Sequence, residues 1–493
     1  MEKVDTVSES RTDTVSSAKR FFWGMGGFTD HMIINGSVCL ISVIYVNGMH
    51  YGAAMIGLAV ALPRIVDAVS DPVIGYLSDN TRSKWGRRRP WMLFGLIVSA
   101  LLTMVLWHPP VAPGPVGDEW LWPVFIYIVG ITSLLYGLGY TSFNVPHIAM
   151  GYEMTSDYDE RTHLFKWRQV LFSIAGFLSP WLLTLCMMME GDKAQTFKGS
   201  HGIVFVSALV AFVIILSGLP SILFCRENVQ AHIKETKVKF LDAVKLTLKN
   251  RPFWLIVISN FISKFCMAAT GIFFVYIFLY HITHGDQKSG SAYLAIFFNA
   301  INISSLIAMP LVARLSDRIG KKRSLLLMLV LSSIAYFSLW FTFSNGPGSF
   351  WNLHIPFLGD VAMQWPSLIT AVMIGSFTNT MPMINNSMLA DVCDLDELNS
   401  GHRREAFYSA VFSTVDKAAL GIAMGLQGVL LVASGFDSKL DLQPASVINF
   451  WIYALILSQP LGFIIAFFAI MKYPLSRERC SEIKDQLKSG SGV

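Results

Sequence analysis

Asp67-Ala-Val-Ser-Asp71-Pro-Val-Ile-Gly-Tyr-Leu-Ser-Asp79-Asn-Thr-Arg-Ser-Lys-Trp-Gly-Arg-Arg-Arg-Pro-Trp91 begins with two carboxylates inside an apolar run and ends in a dense basic loop. Charge inside a hydrocarbon layer is expensive and marks functional positions. A basic loop directly after an apolar helix belongs on the cytoplasmic side of a membrane. The stretch therefore reads as a membrane helix that carries an ion site and runs into a cytoplasmic charge cluster.

The rest of the chain agrees. Its 493 residues are 53% hydrophobic and only 14% charged, with mean hydropathy +0.51, where a soluble domain carries about 25% charge. Apolar runs long enough to cross about 30 Å of hydrocarbon fall at 28–48, 52–78, 90–107, 122–150, 164–189, 201–224, 252–281, 290–316, 323–344, 361–390, 405–433 and 447–472. About twelve helices are expected, with both termini cytoplasmic and no cleavable signal peptide. The loops assigned to the cytoplasm hold about 28 Lys and Arg, while the other side holds Lys193, Lys198, Lys288 and Lys439. That asymmetry fits an even helix count. It also accounts for the net charge of +5 without a nucleic-acid partner. The six cysteines are scattered, and no pair has metal or redox spacing.

Gly75-Tyr-Leu-Ser-Asp79 through Arg89 is echoed by Ala313-Arg-Leu-Ser-Asp317-Arg-Ile-Gly320-Lys-Lys-Arg323, about half the chain later. Each echo sits where its half's second helix meets its third. Two same-orientation halves are the parallel-repeat plan of major facilitator transporters, which bind their substrate between the halves. The expected organisation is a cytoplasmic tail (1–20), a six-helix bundle (21–224), a linker (225–251), a second six-helix bundle (252–472) and a cytoplasmic tail (473–493). The linker reads as a basic segment lying on the anionic inner surface, or as a latch on the inward gate. Loops 108–120 and 345–360 read as outward-facing connections without chemistry.

The buried charges select the candidate site. Asp67 and Asp71 are four apart and share one helix face. Like charges this close resist joint ionisation in low dielectric, and a proton or Na⁺ between them would relieve the repulsion. A fixed ion-pair cluster including Arg64 is the alternative. Thr141 and Asn144 precede Pro146, which frees a backbone carbonyl, so this turn could complete an ion or sugar site or merely bond neighbouring helices. Arg168 and Lys417 need acidic partners. Adjacent residues face different ways on a helix, so Lys417 should face the central cavity rather than Asp416. Asp79 with Arg87, and Asp317 with Arg318, look like charge clusters at a cytoplasmic gate. Tyr140 and Trp23 are candidate aromatics for stacking on a sugar.

These blocks resemble the glycoside–pentoside–hexuronide:cation symporters, the melibiose permease family, from about residue 20 to about 472. The resemblance is carried by Arg64-Ile-Val-Asp67-Ala-Val-Ser-Asp71-Pro with its basic loop, and by Tyr140-Thr-Ser-Phe-Asn-Val-Pro146 with the Glu153–Thr162 segment and Arg168. Leu389-Ala-Asp391-Val-Cys-Asp394 with Arg404–Tyr408, and Lys417 with the small residues after it, complete it. The resemblance implies a coupling cation at Asp67 and Asp71 near Thr141, with Lys417 bridging the cation and sugar regions and Asp30 and Arg168 lining the sugar site. Asn144 stands where the family's fourth helix carries an acid, and Ser70 replaces an Asn before the second acid. The first change puts galactoside-like specificity in question; the second leans the coupling ion toward H⁺.

The expectation is an all-α, major facilitator membrane protein. It would be a monomeric, non-enzymatic symporter of a sugar, glycoside or uronide, driven by H⁺ or Na⁺, in a bacterial inner membrane. It needs no cofactor and no metal beyond that ion. A Na⁺-coupled carrier of amphipathic lipids and a non-transporting sugar receptor are the alternatives.

Overall fold

The protein is described by a computed structural model covering residues 15–110, 122–155, 158–189, 201–226, 250–343, 351–355, 359–400, 405–440 and 442–488. Most of the linker, 227–249, lies outside these residues.

Eleven helices among the described residues are long and apolar enough to cross a membrane. The first is Ser17–Gly48 and the second Ala53–Asn80, followed by Trp122–Glu153, His163–Met189 and Gly202–Phe224 in the first half of the chain. The second half supplies Arg251–Ile282, Gln287–Ile319, Lys321–Phe343, Pro366–Ser400, Tyr408–Ala433 and Ala445–Met471. A shorter apolar helix, Arg89–Val105, occupies the place expected for the third crossing. These twelve are numbered as spans one to twelve in chain order. The connection between spans nine and ten, expected as a plain loop, instead carries Trp351–Ile355 and Gly359–Met363 paired as an antiparallel hairpin. A final helix, Arg477–Lys488, follows span twelve.

The repeat is visible in the backbone. Spans one and seven both end in π-helical turns, Val43–Gly48 and Ile277–Ile282. Each turn is followed by a histidine with positive φ, His50 at 58° and His284 at 50°. The basic motifs turn on Gly86 (φ 99°) and Gly320 (φ 88°), where a residue with a Cβ would be strained. Features this uncommon at matching places in both halves mark two copies of one architecture.

The halves touch at the end opposite the basic loops, through spans two with eleven and five with eight. Small residues permit the first contact. A Cβ on Gly57 would lie 2.9 Å from Gly428 Cα, and one on Gly428 would lie 2.2 Å from the Ala53 carbonyl oxygen. Such stripes let membrane helices pack backbone to backbone. Tyr276 Oη donates to Asn47 Oδ1 at 3.0 Å, His50 Nδ1 lies 3.1 Å from Ser438 Oγ, and Asn302 Nδ2 donates to the Gly176 carbonyl at 3.2 Å. Each of these joins one half to the other.

At the basic end the described ion pairs stay within one half. Arg88 reaches Glu153 at 2.7 Å and Asp79 at 3.1 Å, and Arg87 reaches Glu153 at 2.5 Å. In the second half Lys321 meets Asp391 at 2.7 Å. The next basic residue in each motif ties to the last span of its half. Arg89 Nε donates to the Cys225 carbonyl at 2.8 Å, and Lys322 Nζ to the Met471 and Tyr473 carbonyls at 2.9 and 2.7 Å.

Candidate functional site

Four residues of span two and two of span four build the acidic cluster. Asp67 is fully buried, and Asp71 is a turn further on, partly open. Span four breaks into a π turn over Leu135–Tyr140 directly before Thr141; such turns recur at functional sites. Thr141 Oγ1 lies 3.4 Å from Asp67 Oδ1, 3.2 Å from Asp71 Oδ1 and 2.9 Å from the Tyr136 carbonyl oxygen. Ser70 Oγ is 3.1 Å away from it. Arg64 sits 3.9 Å from Asp67 Oδ2 and donates to Tyr136 Oη at 3.2 Å, its guanidinium 4.1 Å from that ring's centre.

The cation between the two acids comes from the other half. Lys417 Nζ, on span eleven, lies 2.5 Å from Asp71 Oδ2 and 3.3 Å from Asp67 Oδ2. Asp416, one position earlier, turns the other way and pairs with Lys264 of span seven, accepting also from Asn260 Nδ2. Lys417 therefore faces span two of the other half rather than Asp416. Two cations and two carboxylates balance in this cluster; both Oδ2 atoms face a cation, while the two Oδ1 atoms share the single Thr141 hydroxyl.

A second cluster lies between spans one, four and five. Arg168 Nη2 donates to Asp30 Oδ2 at 2.5 Å and to Asn144 Oδ1 at 3.3 Å, and Asn144 Nδ2 donates to Tyr140 Oη at 2.8 Å. Asp30 Oδ1 and Arg168 Nε are buried without a hydrogen-bond partner. The local cause is Gly24-Met-Gly26-Gly27. A Cβ on Gly27 would lie 2.4 Å from the Arg168 carbonyl oxygen, so only glycine there lets span five come near enough for the ion pair.

The structure thus brings Asp67, Asp71, Thr141 and Lys417 together, and joins Asp30, Asn144 and Arg168. Asp79 and Arg87 share one network through Arg88 and Glu153. Asp317 and Arg318 do not form its counterpart: their side chains are exposed, and the second-half acid is Asp391. The connection explains this. Eight residues separate Asn80 from Arg89 and let Arg88 fold back over Asp79, whereas Gly320 alone joins spans eight and nine. Trp23 is fully buried, stacked on His147 at 4.8 Å, and presents no face to a ligand. The sequence assigned no site role to Lys264 or Asp416, nor to Asn260 and Asn385 beside them. Two opposite charges in apolar spans of the same half were the available signal.

A cavity of about 300 Å³ lies between the halves, with His31, Gln169 and Ser173 on one wall and Asn260, Lys264 and Asn385 on the other. Among the described residues no group of three or more His, Cys, Asp or Glu could hold a metal.

Residues 22–477 match the family described as MFS/sugar transport protein. The chain belongs to that family. An uncharacterised symporter of Synechocystis is 27% identical over 95% of this chain and 96% of its own length. The isoprimeverose transporter of Lactiplantibacillus pentosus is 24% identical over 88% of this chain and 83% of its own. An inner membrane symporter of Escherichia coli is 25% identical, covering 97% and 96%. Among solved structures, a D-xylose–proton symporter superposes with TM-score 0.59 at 14% identity, covering 93% of this chain and 97% of that one. A bacterial homologue of the lysosomal transporter Spinster, inward-facing and unoccupied, gives TM-score 0.62 at 13% identity, covering 93% and 98%. These two establish the major facilitator fold. The protein is an integral membrane sugar transporter and not an enzyme.

Proposed function

We propose that this protein moves a sugar or glycoside together with a proton by alternating access, and that Asp67 and Asp71 carry the coupling ion. The observation that carries the reading is Lys417 of the second half seated between two carboxylates of the first. An ion site divided between the halves responds to their relative motion, which is what coupling requires. With Arg64 and Lys417 present the cluster is already neutral, so Na⁺ would have to displace an ammonium group. A proton on Asp71 needs only to weaken the Lys417 contact, freeing span eleven from span two at mid-membrane. Asp30, Arg168, Asn144 and Tyr140 form the first-half sugar contacts, with orphaned polar atoms to satisfy sugar hydroxyls. The relatives named as symporters and as an isoprimeverose transporter support cation coupling and a glycoside cargo.

The basic end is taken as cytoplasmic, in a bacterial inner membrane, with bundles 21–224 and 252–472 rocking about the cavity. The arrangement is then closed outside and open inside. Asp79 with Arg87 and Arg88, and Asp391 with Lys321, stiffen the inner ends as rigid clamps within each bundle.

The test is uptake of a panel of labelled sugars into vesicles, with Na⁺ and pH gradients imposed separately, for wild type and Asp67→Asn. Accumulation driven by the pH gradient that collapses in the variant, with exchange partly spared, is the expected result. Accumulation driven by Na⁺ alone would overturn the proton assignment. No sugar uptake under either gradient would sink the sugar reading and send the search to lipids or to a receptor role.

A further inference from the structure

The second-half wall of the cavity has its own polar constellation, which the coupling scheme does not use. Lys264 of span seven pairs with Asp416 of span eleven. Asn260, one turn from Lys264, donates to the same carboxylate and accepts from Asn385 Nδ2 of span ten at 3.3 Å. Asn385 is 5% exposed, lines the cavity, and leaves Oδ1 without a partner. Lys264 and Asp416 keep 36% and 23% of their side-chain surface open. Lys264 lines the cavity, and a cation that served only to fasten two helices gains nothing from that position, where water weakens its pair.

We propose that Lys264, Asp416, Asn260 and Asn385 form the second-half part of the substrate site and hold the hydroxyls of a second sugar ring. This inference rests on the sugar reading above. The chemistry favours a neutral polyol. The ion pair balances itself, so a carboxylate arriving at Lys264 meets Asp416 beside it. Adjacent hydroxyls instead donate to Asp416 and to the orphan Asn385 Oδ1, and accept from Lys264. The cavity sits at the small end of ligand pockets, which run from about 300 to 1,000 Å³, a size suited to one or two rings. Placement on span eleven adds a consequence: the residue that contacts the second ring directly precedes the one that contacts the cation acids. Successive helix positions are turned about 100° apart, so one rigid turn of helix faces both sites.

The test measures affinity by counterflow in proteoliposomes for a set of disaccharides, each matched with the methyl glycoside of its non-reducing ring. The variants are Asn385→Ala and the double replacement Lys264→Met with Asp416→Leu; replacing both members of a pair by apolar groups avoids an unpaired charge. Two or three hydrogen bonds to the second ring correspond to roughly a tenfold preference for the best disaccharide over its match. Both variants should bring that preference below about threefold, with methyl-glycoside affinity changing less than disaccharide affinity. Preference that survives both variants, with only the melting temperature lowered, would make the cluster a helix clamp and overturn the proposal. Equal loss for both ligand series, or tighter binding of a free hexuronate than of any neutral disaccharide, would overturn it too. A wild type that exchanges neither series brings down the sugar reading itself, and the inference with it.

Discussion

The two halves share a backbone plan and differ in how they balance charge inside the membrane. In the two clusters described above, the first half contributes Asp30, Asp67 and Asp71 against Arg64 and Arg168, one acid in excess. The second carries Lys264 and Lys417 against Asp416, one cation in excess. An unpaired charge at the centre of a span costs about 2.5–3.5 kcal/mol on insertion scales. Neither half therefore reaches neutrality alone, and the Asp71–Lys417 contact closes the balance across the interface. A repeat can keep its fold while its copies divide the chemistry. Here one copy offers an acidic site and the other a tethered cation that fills it.

The sharpest way to break that comparison is to remove the tethered cation. Lys417→Met leaves Asp67 buried beside Asp71 with Arg64 alone. Breaking a buried pair costs about 3–5 kcal/mol, and on that scale gradient-driven accumulation should fall more than about 100-fold. Vesicle uptake measures it. Accumulation at wild-type level in Lys417→Met would show that the interface charge has no part in coupling.

The contact between the halves can also be disturbed without touching a charge. Gly428→Val places a side chain against the Ala53 carbonyl oxygen, where even a Cβ has only 2.2 Å. Overpacking of this kind costs about 1–3 kcal/mol. The halves should separate at the end away from the basic loops, and a cysteine placed at His50 should react with an impermeant maleimide roughly tenfold faster. An unchanged rate would mean that the Tyr276–Asn47 and Asn302–Gly176 contacts hold the closure without the glycine seam.

Much of this was legible in the sequence, for one physical reason. Charge in hydrocarbon is rare enough that Asp67, Asp71, Arg168 and Lys417 announce themselves, and spacing alone put the two acids on one face. The same cost required each to find a partner, although not which one. Partner choice depends on helix rotation and loop length, which a single sequence does not carry. Lys264 could have met any acid, and it meets Asp416 because span eleven turns consecutive residues toward opposite halves. Arg88 rather than Arg87 reaches Asp79 because the first-half loop folds back. Trp23 read as a ligand platform because aromatic identity says nothing of burial, and the hairpin at 351–363 had no alternating pattern strong enough to separate it from a loop.

The smallest expected effect tests how far the echo between the halves extends. Leu-Ser-Asp stands in both motifs, yet Asp79 meets Arg88 at 3.1 Å while Asp317 makes no ion pair among the described residues. Asp79 is itself about half exposed, so its pair is worth at most about 1 kcal/mol. Asp79→Asn should therefore slow transport by up to about fivefold at saturating substrate, with KM unchanged because none of the clamp residues lines the cavity. Asp317→Asn should stay within about 1.5-fold on the same scale. Equal slowing by the two substitutions would mean that Asp317 gains a partner in another state of the cycle. The second motif would then act as a switch between states, and the asymmetry of the halves would be confined to the middle of the membrane.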